Sequence, residues 1–333
     1  MVRVGINGFG RIGRSFWRAA RGRTDVRVVA VNDLTDAATL AHLLRYDSIR
    51  GRLDVPVETV GEAIVVDGHT IPVFTSAAPG AVPWGELGVD VVIESTGRYF
   101  RAAQVRPHLD AGAGRVLISY TAPDPDVTVV RGINDAAFDP DRHRIVSPGC
   151  CTSNAVGPVL SVLHRHFGVQ TAHLTSLHSY DASHSTLHDA PYRSARMGRA
   201  GASAMVPSRI SNTTGVLSMV LPHLAGRIDG LVVRVPVAIG CAVDLVVTTE
   251  RPMTAAEVNA ALAAAARTDL AGVVGYTEDE VVSADVVGAA ESCVVDAGLT
   301  TVVGHQVKLV AWYDNEWGFA HRLVELAVLI GRR

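Results

Sequence analysis

The stretch NGFGRIG, Asn7 to Gly13, decides the fold. It follows the β-branched run VRVGI and opens the helical pattern RIGRSFWRAARG, so Gly8, Gly10 and Gly13 stand in G-x-G-x-x-G spacing at a strand-to-helix turn. Glycines at these places let the turn close and let backbone N–H groups of the helix N-terminus approach a pyrophosphate. The same glycines also serve where a helix merely packs closely on a sheet. Asp33 decides between the two readings: it ends the next strand, 20 residues beyond Gly13, where a carboxylate accepts from a ribose 2′-hydroxyl and repels a 2′-phosphate. NAD is therefore expected over NADP.

Outward from this turn, RVVAVND, VDVVIES and RVLISY read as further buried strands, with TDAATLAHLLRYD as an intervening helix. The rhythm is that of a doubly wound α/β sheet. We expect an N-terminal Rossmann-type NAD domain over 1–150, completed by the C-terminal helix 316–333. An α+β catalytic domain with a large mixed or antiparallel sheet is expected over 151–315, from the helix NAVGPVLSVLHRHFG and the strands QTAHLTSLHSY, GLVVRVPVA, AVDLVVTTE and VKLVAWYD. A long irregular stretch over about 181–214 exceeds an ordinary connection and is a candidate functional loop.

The chain has 333 residues, 48% hydrophobic and 19% charged, with a net charge of −3. Nothing in that balance offers a footprint for nucleic acid or an acidic membrane. No apolar run reaches the length of a membrane span, and the opening MVRVGINGF lacks the pattern of a signal peptide. Four cysteines without a regular framework point to a reducing, cytoplasmic setting.

Two of those cysteines are adjacent, Cys150 and Cys151 in SPGCCTSN, just before an amphipathic helix. A sulfur at that helix end is expected to have a lowered pKa, and the thiolate is the reactive form. His178, in LTSLHSY, is the chosen base, with His164, His166, His184 and His188 as competitors among 13 histidines. No zinc-type ligand spacing is present, so no metal is expected.

NGFGRIGR, the C-T-x-N motif beginning at Cys151, HSY with its histidine 27 positions later, and WYDNEWG near the end together resemble phosphorying-type members of one family. That family is glyceraldehyde-3-phosphate dehydrogenase, phosphorylating type, and the likeness runs through VNDLTDAATLAHLLRYDS, VVIESTGRYF and GRIDGLVVRVP. The resemblance implies that Cys151 is the nucleophile and that His178 is the base. It implies that Asn315 orients the nicotinamide carboxamide, and that Gly8, Arg11, Ile12, Asp33, Thr96 and Ser119 line the NAD groove. It further implies oxidation of a small aldehyde through a hemithioacetal and a thioester, released by inorganic phosphate, in a homotetramer.

Several positions depart from the family pattern. Asp181 and Ser183 stand where the family has threonine and aspartate at the substrate-phosphate site, while Arg234 matches its arginine. Met197, between Arg196 and Arg199, falls where an arginine holds the attacking phosphate; Thr152 keeps its place, and Cys150 replaces a serine. Arg209 is a candidate substitute cation or a solvated side chain. These changes leave open two alternatives: a specialised or non-phosphorylating relative acting on another small aldehyde, and a non-catalytic NAD-binding regulatory protein.

Overall fold

The computed structural model describes residues 1–180 and 195–332. Their contacts divide them into two units: 1–131 with 135–149 and 320–333, and 132–134 with 150–319.

In the first unit, the strands are β1 (Val2–Asn7), β2 (Val26–Asn32), β3 (Tyr46–Asp47), β4 (Gly51–Arg52), β5 (Val57–Val60), β6 (Ala63–Val66), β7 (His69–Phe74), β8 (Val91–Glu94), β9 (Arg115–Ile118), β10 (Val127–Thr128) and β11 (Ile145–Ser147). Nine of these form one sheet in the order β10-β11-β9-β8-β1-β2-β7-β6-β5, and β3 pairs with β4 as a separate ribbon. The pairings are parallel from β10 across to β7, and the last two, β7–β6 and β6–β5, are antiparallel. The chain runs from β1 outward to β2 and β7, then returns to lay β8 on the other side of β1. The strand order thus reverses between β1 and β8, the kind of point where open α/β sheets bind ligands.

Helices α1 (Arg11–Ala20), α2 (Ala37–Arg45) and α3 (Ala102–Asp110) accompany these strands. α1 buries Phe16, Trp17, Ala19 and Ala20. Full burial of a large apolar side chain such as Phe16 contributes about 1.5–3 kcal/mol. This unit is the doubly wound sheet expected from the N-terminal rhythm.

The second unit contains β12 (Val169–Ser179), β13 (Val206–Arg209), β14 (Ile228–Val235), β15 (Cys241–Thr249), β16 (Val274–Thr277), β17 (Cys293–Val303) and β18 (Gln306–Tyr313). They form a mixed sheet in the order β13-β14-β12-β15-β18-β17-β16. Helices α4 (Cys151–Phe167), α5 (Ser211–Val220) and α6 (Ala255–Arg267) belong to it, and α4 packs against both other helices and the sheet. The fourth long helix, α7 (Trp317–Gly331), starts in this unit and joins the first from Ala320. Asp314 starts it by accepting from the N–H groups of Glu316 and Trp317.

One expectation needs correcting. The stretch 181–214 is not irregular to its end, because Val206–Arg209 pairs antiparallel with β14 and α5 begins at Ser211. The strand VPSR has a proline and a charge, which hid its edge-strand character. No helix among the described residues is long and apolar enough to cross a membrane.

Candidate active site

The geometry of the glycine turn is set by backbone. Gly8 has φ +93°, and a Cβ there would lie 2.6 Å from the Thr96 amide nitrogen. A Cβ on Gly13 would lie 2.4 Å from the Gly8 carbonyl oxygen. Only glycine fits either place, so these two residues fold the turn onto itself. Gly10 differs: a Cβ there would meet nothing within 4 Å. It is the N-cap of α1, with no side-chain cap and no acidic residue in the first turn. The positive end of α1, at Gly10, Arg11 and Ile12, therefore has both the room and the polarity for a pyrophosphate.

Asp33 follows β2, half-buried. Its two oxygens accept from the N–H groups of Phe9 and Thr35 at 2.8 and 3.0 Å. One bond to each oxygen leaves further acceptor capacity for ribose hydroxyls. Thr96 and Ser119 follow β8 and β9, at the same carboxyl-terminal sheet edge. Their polar groups turn inward: Thr96 N–H and O–H go to the Glu94 carboxylate, and the Ser119 hydroxyl donates to the Glu94 carbonyl at 2.9 Å. What Thr96 and Ser119 supply at that edge is shape.

In the second unit, α4 starts at the paired cysteines. Cys150 is the N-cap, extended at φ −122° and ψ 167°. Its sulfur accepts from the Ser153 N–H at 3.4 Å, and Ser153 Oγ accepts from the Cys150 N–H at 2.9 Å. The same sulfur lies 3.3 Å from the Thr213 hydroxyl of α5. Cys151 is the first helical residue, and its Sγ faces His178 Nε2 at 3.4 Å. The two cysteines therefore engage different partners.

His178 comes from β12, whose inward positions run Ala172, Leu174, Ser176, His178. Its Nδ1–H donates to the Ser179 carbonyl at 2.8 Å. A carbonyl only accepts, so the neutral ring carries its proton on Nδ1 and turns an Nε2 lone pair to the thiol. Tyr313 of β18 sets its ring edge-on to His178 with centroids 6.0 Å apart. Its hydroxyl bonds with Thr152 at 3.1 Å and Ser176 at 2.9 Å. Burial pushes the Tyr313 phenol well up, which keeps it neutral.

Cys151 corrects the expectation of a lowered pKa. Burial pushes its thiol well above the ordinary cysteine range, and the neighbouring Cys150 and Cys241 add to this. The Arg234 charge and a Thr152 hydrogen bond pull the other way and are outweighed. The shift favours the protonated thiol over the thiolate. Arg234 stands on β14 in register with His178 on one side and Val206 on the other.

Asn315 is buried, and its Oδ1 accepts from the Ser179 hydroxyl at 3.1 Å and the Cys241 thiol at 3.3 Å. With the oxygen so engaged, the side chain presents Nδ2 as a donor, which fits the carbonyl of a carboxamide. Ser179 thus bonds to His178 through its carbonyl and to Asn315 through its hydroxyl.

Of the competing histidines, His164 accepts from the Val169 N–H and stacks on His223 with centroids 4.2 Å apart. It lies 13 residues along α4 from Cys151, which is roughly 20 Å in a helix. His166 is still nearer the far end. Met197 is half-buried, Arg196 and Arg199 are exposed, and Arg209 is exposed on β13. Asp181, Ser183, His184 and His188 lie outside the described residues.

Sequence reasoning missed Thr213, Ser176, Ser179, Cys241 and Tyr313 around the thiol, and Asn7 and Glu94 beneath the glycine turn. A signal existed in β12, where the inward face changes from apolar to polar over its last two positions. No comparable signal marks Thr213 or Cys241, which reach the site from separate elements.

Comparison with known proteins accords with this geometry. Residues 2–102 match the family model described as glyceraldehyde 3-phosphate dehydrogenase, NAD binding domain, and residues 150–315 match that of the C-terminal domain. Glyceraldehyde-3-phosphate dehydrogenase 2 of Streptomyces arenae is 49% identical over 331 residues, covering 99% of this chain and 98% of that protein. The enzyme of Streptomyces coelicolor is 47% identical over 338 residues, with 100% and 99% covered. That of Geobacillus stearothermophilus is 46% identical over 336 residues, again with 100% and 99% covered. Likeness of this extent, carried by both halves and by an intact glycine turn, makes the chain an NAD-dependent oxidoreductase that belongs to the glyceraldehyde-3-phosphate dehydrogenase family.

Proposed function

We infer that the protein oxidises a small phosphorylated aldehyde, glyceraldehyde 3-phosphate, through a thioester on Cys151 that inorganic phosphate releases. The observation that carries this reading is the 3.4 Å approach of Cys151 Sγ to His178 Nε2, with the opposite ring nitrogen already donating to a carbonyl. The thiol passes its proton to Nε2 as sulfur attacks the aldehyde carbon. The resulting imidazolium gives that proton to the carbonyl oxygen, forming a hemithioacetal. His178 takes the hydroxyl proton back as the hydride leaves the carbon. When bound, NAD supplies the hydride acceptor, and Asn315 Nδ2 is the donor suited to hold its carboxamide. The product on the protein is the thioester. Phosphate then attacks the acyl carbon, the C–S bond breaks, and the leaving sulfur is reprotonated.

Thr152 and Arg234 are assigned to the anion sites, Arg234 because it stands in register with His178 and Thr152 because it adjoins Cys151 at the start of α4. Cys150 weakens the second anion site relative to serine, because sulfur is the poorer hydrogen-bonding group. The four free cysteines suit a reducing cytoplasm. Exposed Leu177 and Leu231, on outward positions of adjacent strands β12 and β14, support assembly into a homotetramer. Light scattering in solution tests that assembly.

The activity is tested with NAD and a panel of small aldehydes, with and without inorganic phosphate, following NADH absorbance. Phosphate-dependent turnover of glyceraldehyde 3-phosphate is expected. Absence of turnover with every aldehyde, while Cys151 is intact and reduced, overturns the reading.

A further inference from the structure

Beneath the glycine turn lies a buried polar cluster that the reaction does not use. Asn7 ends β1, Asn32 ends β2 and Glu94 ends β8; Asn7 stands in register with both of the others. Glu94 is 2% exposed, and His108 of α3 and Trp84 are fully buried. The cluster sits where the strand order reverses, directly under the turn that holds the cofactor.

Its hydrogen bonds can be assigned from the two ends, where the donors are unambiguous. At one end Trp84 Nε1–H donates to His108 Nδ1 at 3.0 Å. That nitrogen must be bare, so His108 is neutral, carries its proton on Nε2, and donates it to Glu94 Oε2 at 3.1 Å. Trp84 itself is seated by Gly5, where a Cβ would fall 2.5 Å from the indole ring. At the other end the Ser76 N–H donates to Asn32 Oδ1 and the Ser76 carbonyl accepts from Asn32 Nδ2, both at 2.9 Å. Asn32 Nδ2 also donates to Asn7 Oδ1 at 2.6 Å, which leaves Asn7 Nδ2 to donate to Glu94 Oε2 at 2.6 Å. Glu94 Oε1 accepts from Thr96 N–H at 3.0 Å and from the Thr96 hydroxyl, whose oxygen in turn accepts from Arg98 N–H at 3.2 Å. Four donors therefore converge on the Glu94 carboxylate, and no neighbour in the cluster accepts from it.

We propose that Glu94 is the positioning residue of the NAD-binding turn: it fixes the Thr96 ledge on which Gly8 rests, and Trp84, through the His108 tautomer, keeps its surroundings purely donating. The link to the cofactor is steric. Gly8 packs backbone to backbone on Thr96, and the Ser95 hydroxyl ties the Gly8 carbonyl at 2.7 Å. Any shift of the ledge moves the turn. Glutamine at position 94 places an N–H₂ group against a donor whichever way it turns. His108 cannot relieve that contact by exchanging its ring proton while Trp84 donates to Nδ1.

The test uses the full chain and NAD titration by calorimetry, so it stands apart from the aldehyde chosen under Proposed function. Glu94→Gln is expected to weaken NAD at least tenfold, with kcat at saturating NAD and the KM for aldehyde within threefold of the parent. Trp84→Phe alone costs less than that. The double variant Trp84→Phe/Glu94→Gln frees His108 to accept from the new amide and is expected to bind NAD at least threefold better than Glu94→Gln alone. Nitrogen-15 NMR of His108 should show Nε2 protonated and Nδ1 bare. If Glu94→Gln does not fold, Thr96→Val removes one of the four donors and is expected to weaken NAD about threefold in the same titration. The proposal is overturned by a Glu94→Gln protein that binds NAD within twofold of the parent, by additive losses in the double variant, by a Thr96→Val protein with unaltered NAD affinity, or by the opposite His108 tautomer.

Discussion

The two units build their candidate sites in opposite ways. At the NAD-binding turn the backbone makes the cradle, and the nearby side chains of Thr96 and Ser119 spend their donors inward on Glu94. At the proposed catalytic centre the side chains themselves make the site: a thiol, an imidazole, a phenol and an amide converge from α4, β12, β18 and the residues that follow it. The cradle is therefore sensitive to atoms added, and the catalytic centre to atoms removed. This difference follows from what each ligand asks for. A pyrophosphate needs many N–H groups at close range, which only bare backbone can offer, whereas a carbon centre changing its bonding needs one nucleophile and one base in a fixed order.

The largest effect should come from removing the nucleophile. Cys151→Ser is expected to lower kcat by roughly 10⁴-fold or more, while Cys150→Ser stays within a few-fold of the parent and restores a stronger N-cap. Pre-steady-state NADH release separates the two. Equal losses in both variants would erase the distinction between the paired cysteines. Next comes the base: His178→Gln is expected to lower kcat by roughly 10²–10⁴-fold with the NAD dissociation constant unchanged. Alkylation of Cys151 by iodoacetamide in the cofactor-free protein should keep accelerating above pH 9, because burial holds the thiol up. A reactivity plateau at neutral pH would mean that the helix terminus, and not burial, governs the sulfur.

The opposite half is broken by addition. Gly13→Ala pushes a methyl group to within 2.4 Å of the Gly8 carbonyl oxygen. Moving that backbone costs about 1–3 kcal/mol, an NAD affinity loss of about tenfold or more, with the aldehyde KM untouched. An alanine variant that binds NAD normally would show that the turn yields more readily than its contacts suggest.

This contrast also explains what is legible in the amino-acid sequence. The glycine spacing and the β-branched runs report local backbone, so the doubly wound sheet, its turn and Asp33 were legible. Cys151 and His178 were legible only as members of a motif set, since thirteen histidines offer no local mark of which one faces the thiol. Burial was the missing quantity. It reverses the expected direction of the Cys151 shift, because a position at the helix N-terminus is visible in sequence whereas the packing around it is not. The Trp84–His108–Glu94 chain was invisible for the same reason: its members come from a loop, a helix and a strand, and only the sheet order brings them together.

The effect that vanishes at neutral pH, and is the smallest there, concerns Cys241, which holds Asn315 from behind. Burial raises its thiol from 9.0 to about 11. Between those values the unfolded chain has lost the proton while the folded chain keeps it, so the folded state binds more protons and stability falls as pH rises. The contribution is fully present below pH 9 and is lost by the time pH passes 11, a difference of about 2–3 kcal/mol. Cys241→Ser keeps a donor for Asn315 Oδ1 but cannot titrate, so its urea midpoint should fall less steeply than the parent's between pH 9 and 10.5. Cys151 and Tyr313 are also raised and are present in both proteins, and since the Cys241 charge adds to both shifts, the slope difference reads Cys241 together with its effect on these two neighbours. Identical slopes would mean that position 241 hydrates before the chain unfolds. The thiol would then be a weaker hold on Asn315 than its 3.3 Å contact implies, and Ser179 would carry the orientation of the amide alone.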